Sequence, residues 1–351
     1  MDSQAVVAFG KPLQSVHVDT PVPKGTEVLV KVHHCGVCHS DIHLHDGCFD
    51  LGGGNKLDLS KGMSLPHTLG HEIEGEVVAL GPDASGVAIG ARRAVFPWIG
   101  CGKCPNCERG LENMCNRGRS LGCAPGVNGG YATHVLVPHP RYLLDYGKTP
   151  PALAAAYMCS GITAFAALKK VGKVSADEPV LILGCGGVGM MGIEFAEAVT
   201  GQKPLVADID DGRLEAALKA GGKVAYNTKD PKAVERVRAD TRDGVYAVID
   251  FVGSEATQKF AQAVLRKGGR IVIVGLFGGG MTIPIPLFPF QSMAIQGSMT
   301  GTLKEAEQMM ELVRAGRIGA IPIELRPLAR ASATLDDMRA GRITGRVVLT
   351  P

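Results

Sequence analysis

The chain has 351 residues, with 37 Lys and Arg against 34 Asp and Glu for a formal net charge of +3, and it is 45% hydrophobic and 20% charged. That length suits about two globular domains, and that composition excludes a disordered chain. No basic run is longer than a pair such as Arg92-Arg93, so neither a nucleic-acid nor a membrane-surface footprint is expected. The first residues have no positive segment ahead of an apolar one, and no 18 apolar residues run uninterrupted; the chain reads as cytoplasmic.

In chain order, AVVAF (5–9), EVLVKV (27–32), IEGEVVAL (73–80), ARRAVF (91–96) and GYATHVLV (130–137) are short strand-like runs broken by Gly and Pro. They predict a β-rich, barrel-like first part. PPALAAAYMCSGITAFAALKKV, from Pro150, has the proline start and alanine content of a helix. Strands and helices then alternate: VLILG (180–184), a helix over 188–200, PLVAD (204–208), a helix near 211–220, VYAVIDFVG (245–253), a helix near 255–265, and RIVIVG (270–275). This alternation predicts a doubly wound parallel sheet with helices on both faces. Val188, Met191, Phe195 and Val199 fall on one helical face that would lie on the sheet. KEAEQMMELVRAG (304–316) predicts an amphipathic helix and GRVVLTP a closing strand. The layout is a nucleotide-binding domain (157–297) inserted between two parts (1–156 and 298–351) of a β-rich catalytic domain.

Val180–Gly184 runs into Gly184-x-Gly186-Gly187-Val188-Gly189, at a predicted strand-to-helix turn. Glycines so placed let the chain turn sharply, bring backbone N–H groups close to a pyrophosphate, and pack helix against strand. The motif alone is weak among 47 glycines, since GGG also occurs at 52–54 and 278–280. What strengthens it is Asp208, which ends the next strand 24 residues after Gly184: a carboxylate there accepts ribose hydroxyls of NAD and repels a 2′-phosphate. Arg213 is the opposing signal, a basic group able to help hold such a phosphate. A ligand-free βα turn is the bland alternative.

Ten cysteines are present, four of them within fifteen residues. CGKCPNCERGLENMC places Cys101, Cys104, Cys107 and Cys115 at C-x2-C-x2-C-x7-C. Four thiolates so spaced close a tetrahedron around Zn²⁺ with no open position, the mark of a structural site. An iron–sulfur cluster competes, although there the fourth cysteine comes sooner and is followed by Pro, whereas Asn116 follows Cys115. Cys38, His71 and Cys159 offer a dispersed Cys2His set with the fourth position open. Spacing cannot assemble them, for 33 residues separate the first two and 88 the next; each alone reads as a buried thiol or a satisfied histidine.

Taken together, GVCHSDIH, PHTLGHEIEG, the four-cysteine segment, CSGIT, GCGGVG with Asp208, VGLFG and GRVVLTP resemble the zinc-dependent alcohol dehydrogenases of the medium-chain dehydrogenase/reductase family, over nearly the whole chain and in order. The resemblance is strongest to NAD-dependent microbial enzymes. It implies a GroES-like catalytic domain with an inserted Rossmann domain, two zincs per chain, NAD, and a homotetramer or homodimer.

By position it makes Cys38, His71 and Cys159 the catalytic zinc ligands and the four clustered cysteines the structural ones. Asp41 would orient His71, and Glu72 would sit behind the metal and ease ligand exchange. Ser40 would touch the substrate oxygen and His43 would be the exposed end of a proton relay. His39 and Arg346 would lie near the pyrophosphate, Val188 and Thr163 at the nicotinamide, and Phe49, Trp98 and Leu276 along the substrate pocket. Phe49 and Trp98 read equally well as core aromatics.

The implied reaction is hydride transfer between an alcohol and NAD, giving an aldehyde or ketone, with zinc as Lewis acid. Two departures stand out. Cys35 makes C-G-V-C with Cys38, readable as a redox pair but better as a small buried thiol, since pairing would remove a zinc ligand. Residues 50–65 form a longer, more Gly-rich stretch than in many relatives. Edge pairing near TIPIP (282–286) across a two-fold is also expected. The alternatives are a polyol dehydrogenase, in which a carboxylate often replaces the third thiolate, and a catalytically silent zinc- and dinucleotide-binding protein of the same fold.

Overall fold

A computed structural model describes residues 1–351. Its first sheet has seven strands in the order Leu143–Leu144, Arg92–Val95, Glu72–Leu80, Val28–Gly36, Arg346–Thr350 and Ile323–Pro327, with His134–Val137 also paired to Val28–Gly36. The strand Val28–Gly36 organises this sheet by dividing its length. Val28 to Lys31 pair with His134–Val137, while Cys35 and Gly36 pair with Leu349 and Val348 of the last strand. The end of the chain thus completes a sheet begun near its start.

The second sheet is wholly parallel: Ala225–Asn227, Leu205–Asp208, Val180–Leu183, Val245–Asp250, Leu265–Ile273 and Ala294–Gly297 lie side by side in that order. Numbered along the chain this is 3-2-1-4-5-6, the doubly wound order, in which ligands bind beyond the carboxyl ends of the strands. Near-continuous apolar runs such as Val180–Leu183, buried throughout, are what a sheet covered on both faces requires.

Between the sheets runs a helix with three parts, Pro151–Ala156, a π turn Tyr157–Gly161, and Ile162–Val171. It crosses the expected boundary at 156/157 without a break. By length and apolarity (mean hydropathy 1.5) this segment alone could cross a membrane, but 83% of its most apolar window is buried inside the protein, so it is a core helix. One core of 61 buried residues passes through it from the first sheet into one face of the second, and a separate core of 14 lies on the other face.

The helix expected over 188–200 is Gly187–Thr200, and its buried face is wider than the stripe read from the sequence. Met190, Met191, Ile193, Phe195 and Ala196 are buried, while Val188 and Val199 are partly exposed. The helix touches the sheet on one side, where Gly192 lies against Phe251, and meets Ile162–Val171 on another, where Phe195 sits edge-on to Phe165 at 5.8 Å.

One expectation needs correction. TIPIP (282–286) is not a strand: Pro284 and Pro286 carry no N–H for a ladder. The edge strand on that side of the parallel sheet is Ala294–Gly297 instead, with Ala225–Asn227 at the opposite edge. Val28–Gly36 runs on through His33 and His34. The Gly-rich stretch after Cys48 forms a hairpin, Cys48–Gly52 paired with Asn55–Asp58, which the sequence pattern did not reveal.

Candidate active site and metal centres

The helix His39–Asp46 begins with a capping box made from site residues. Cys38 is the N-cap, and the Asp41 carboxylate accepts the Cys38 N–H at 2.9 Å through Oδ2. The same oxygen accepts the Tyr131 hydroxyl at 2.9 Å, and Oδ1 stands 3.3 Å from His71 Nδ1. Asp41 and His71 are both fully buried. Asp41 therefore fixes the start of the helix and stands beside the imidazole, whose Nδ1 and Nε2 are both buried without a hydrogen-bond partner.

Cys159 reaches the same point from the π turn, a local widening of the helix frequent at functional sites. Its Sγ is 3.8 Å from Cys38 Sγ, and donor atoms of Cys38, His71, Glu72 and Cys159 all lie within 4.8 Å of one another. A tetrahedral zinc with Zn–S bonds of about 2.3 Å has edges of about 3.8 Å. The sulfur separation and the partnerless Nε2 fit that ion. The hydrogen bond from Cys159 holds the Cys38 thiol well below the usual range and pushes Cys159 up; two adjacent sulfurs cannot both ionise without a cation. Burial alone would lower the pKa of His71, but the thiols of Cys123 and Cys159 and the Asp41 carboxylate outweigh it and raise it.

Behind this group, Glu72 is fully buried and paired with the guanidinium of Arg346, itself buried. Burial raises the Glu72 pKa to about 7 although Arg346 opposes the shift. Glu72 is seated against Gly36, where an added Cβ would lie 2.8 Å from the Glu72 Cβ. Arg346 also packs on the Gly-rich turn, its Cδ 2.6 Å from where a Cβ on Gly187 would be.

That turn has the features its glycines require. Gly184 has φ +91, closed to side-chain-bearing residues; a Cβ on Gly186 would meet nothing within 4 Å, leaving room for a ligand; one on Gly189 would collide with the Gly184 carbonyl. Asp208 is buried and accepts backbone N–H groups from Cys185 at 2.7 Å, Ile209 at 2.7 Å and Asp210 at 3.1 Å. A carboxylate accepts about four hydrogen bonds, so capacity remains for a ribose hydroxyl. Arg213 and Cys185 line a cleft between this turn and Ile343, Thr344 and Gly345. Val188 and Thr163 are partly exposed, at the starts of their helices.

Ser40 is partly exposed on the His39–Asp46 helix and His39 is exposed. His43, expected at the exposed end of a relay, is partly exposed. The Phe49 ring stacks on it at 4.3 Å, and its Nε2 is buried without a partner. Burial, and then the neighbouring His39, lower its pKa. Trp98 is buried beside His71, with ring centroids 5.3 Å apart, and donates to the Met158 carbonyl at 3.1 Å. Leu276 is 59% exposed, in the loop after Leu265–Ile273. Cys35 is buried, with its thiol toward the Gly36 carbonyl at 3.8 Å, and it forms no disulfide.

The four clustered cysteines sit at the surface. Cys104 Sγ is 3.5 Å from Cys107 Sγ and 3.7 Å from Cys115 Sγ, and the donor atoms of all four lie within 4.8 Å. These again are tetrahedral edges, with no position left open. The Lys103 N–H draws the Cys101 thiol down to about 6, while burial pushes Cys107 up to about 11. Glu112, missed in the sequence, ties this lobe to the body: its carboxylate accepts the Gly100 N–H at 2.9 Å and the Tyr142 hydroxyl at 2.7 Å, and pairs with Arg141 at 2.9 Å. Tyr131 and Cys123 were missed as well, since their proximity to Asp41 and His71 exists only in the folded chain.

Two family models match the chain, one for the alcohol dehydrogenase GroES-like domain over residues 24–146 and one for zinc-binding dehydrogenases over residues 187–315. An NAD-dependent alcohol dehydrogenase of Sulfurisphaera tokodaii is 36% identical, and one of Saccharolobus solfataricus 35% identical, each match covering 100% of both chains. The crystal structure of the alcohol dehydrogenase of Aeropyrum pernix superposes with a TM-score of 0.88 at 26% identity over 100% of both chains.

Proposed function

The chain belongs to the zinc-dependent alcohol dehydrogenases of the medium-chain dehydrogenase/reductase family, and from that membership and the geometry above we propose how its residues divide the work. It is an NAD-dependent, zinc-dependent oxidoreductase that interconverts alcohols with aldehydes or ketones. The observation that carries the site assignment is the convergence of Cys38, His71 and Cys159, from three separate elements, on one buried point.

When bound there, zinc supplies Lewis acidity toward the substrate oxygen, and NAD on the Gly184–Gly189 turn supplies the hydride acceptor. Cys38 and Cys159 offset the charge of the ion as thiolates. Asp41 holds His71 by Nδ1 so that Nε2 ligates. Ser40 takes the hydroxyl proton of the substrate and His43, at i+3 on the same helix, receives it. Asp208 selects NAD through the ribose, and Arg346 serves both the pyrophosphate and Glu72. Trp98 walls the metal site. Cys101, Cys104, Cys107 and Cys115 hold a second, structural zinc.

We further propose the division into a catalytic domain, 1–156 with 298–351, and a cofactor domain, 157–297. Its support is the pairing of Arg346–Thr350 with Val28–Gly36. Ten cysteines without a disulfide suit a reducing cytoplasm. A homo-oligomer is supported by the open edge Ala294–Gly297 and by Phe277, Ile285, Phe290 and Met299, each at least 60% exposed nearby; light scattering should give a mass that is a multiple of 36.7 kDa.

The test of the function is zinc content by mass spectrometry together with NADH oxidation over a panel of aldehydes and ketones. Two zincs per chain with turnover are expected. One zinc and no turnover on any carbonyl would point to a binding protein.

A further inference from the structure

The two triple-glycine runs, at 52–54 and 278–280, belong to different parts of the chain and meet in space. A Cβ on Gly52 would fall 2.6 Å from the Cα and the carbonyl oxygen of Gly279, and one on Gly278 would fall 3.1 Å from the Asp50 carbonyl oxygen. Backbone lies directly on backbone there. No hydrogen bond or ion pair joins the two segments, so the contact is one of dispersion alone and opens at small cost.

The two partners differ in firmness. The loop with Gly278 is tied down, with Phe277 N–H donating to Val252 at 3.1 Å and Gly278 N–H to Gly253 at 3.2 Å. It leaves the carboxyl end of the strand Leu265–Ile273, the side of a parallel sheet on which a dinucleotide lies. The Cys48–Gly52 and Asn55–Asp58 hairpin projects, with Leu51 and Leu57 exposed, and its root lays Phe49 on His43 at 4.3 Å.

We propose that this hairpin is a clasp: its glycine tip rests on the Gly278–Gly280 loop across the crevice between the catalytic and cofactor domains, and its release governs how fast the dinucleotide leaves. The proposal rests on the dehydrogenase reading above. At Gly52 a Cβ would fall 2.4 Å from the Gly279 carbonyl carbon and force the segments apart, and at Gly278 it would press the Asp50 carbonyl oxygen at 3.1 Å and push it back by a few tenths of an ångström.

The experiment compares NADH release from the zinc-loaded wild type, Gly52→Ala, Gly278→Ala and Gly54→Ala, by stopped-flow displacement with energy transfer from Trp98, the only tryptophan. Gly54 is the matched control: its φ is +80 against +82 for Gly52, and a Cβ there meets nothing within 4 Å. Both alanines strain the hairpin alike, and only one touches the other domain. Release at least threefold faster in Gly52→Ala and Gly278→Ala than in Gly54→Ala is expected. Release equal to or slower than that of Gly54→Ala overturns the clasp. Because the two test residues lie in different domains, a folding failure in one leaves the other to decide. A wild type that binds no NADH overturns the dehydrogenase reading itself, a separate outcome.

Discussion

The two cysteine centres use the same sulfur spacing for opposite purposes. In the lobe, four thiols from one fifteen-residue segment meet at the surface at 3.5 to 3.7 Å, and Glu112 alone carries three of the links from that lobe to its neighbours. At the buried site, two thiols 121 residues apart in the chain stand 3.8 Å from each other and one imidazole joins them within 4.8 Å, surrounded by Asp41, Glu72 and Arg346. A closed all-thiolate set spends its whole valence on the chain and so stabilises a local fold. In the proposed reading, Cys38, His71 and Cys159 hold the ion inside a charged, hydrogen-bonded shell, and Glu72, paired with Arg346, leaves the fourth position for chemistry.

The sharpest way to break this comparison is to remove one ligand from each. Cys38→Ser or His71→Ala should lower kcat by about a thousandfold or more, since Lewis-acid stabilisation is worth several kcal/mol and each 1.36 kcal/mol is tenfold. NADH binding, followed by energy transfer from Trp98, should persist, and one zinc per chain should remain by mass spectrometry. Turnover within tenfold of wild type would remove these residues from the reaction. Cys104→Ser should instead lose the other zinc and lower Tm by roughly 5–10 °C, with the folded fraction retaining kcat within about tenfold. An unchanged Tm would deny the lobe its structural role.

The same contrast explains what was legible in the sequence. C-x2-C-x2-C-x7-C reads as a metal site from spacing alone, because its ligands are neighbours in the chain. Cys38, His71 and Cys159 do not, since their meeting depends on the register of Val28–Gly36 with Glu72–Leu80 and on a π turn that no periodicity announces. Resemblance bridged that distance for the ligands but not for their surroundings. Tyr131 on Asp41, Cys123 near His71 and the Phe49 ring over His43 are consequences of packing that no spacing in the sequence announces. The parallel sheet was legible because buried strands read as apolar runs, whereas the Cys48–Asp58 hairpin, exposed and polar, carries no such pattern.

A smaller effect tests the cofactor side, which the lobe lacks altogether. Asp208→Gly should narrow the preference for NAD over NADP by about tenfold or more, through loss of the charge that repels a 2′-phosphate, with Arg213 then free to attract it. The substitution also strips an acceptor from the N–H groups of Cys185, Ile209 and Asp210, so Tm should fall as well. Unchanged selectivity together with lowered Tm would make Asp208 a structural cap of the turn and nothing more.

The smallest effect concerns the proton path that separates the buried centre from the lobe. Burial, and next the adjacent His39, hold the His43 pKa below the usual imidazole value of 6.5. The group accepts a proton only when neutral, so in alcohol oxidation the acid limb of the rate profile should lie below that value, and activity should fall as the pH drops through the shifted pKa. Phe49→Ala uncovers the ring to water and relieves the desolvation, so the limb should move upward toward 6.5 while the plateau rate changes by less than about threefold, since Phe49 touches no metal donor. Asp46 and Cys38 oppose the depression and are untouched by the substitution, which fixes the sign of the movement. A limb that stays in place, measured on the zinc-loaded enzyme between pH 5 and 9 at about constant ionic strength, would mean that the proton leaves without passing His43.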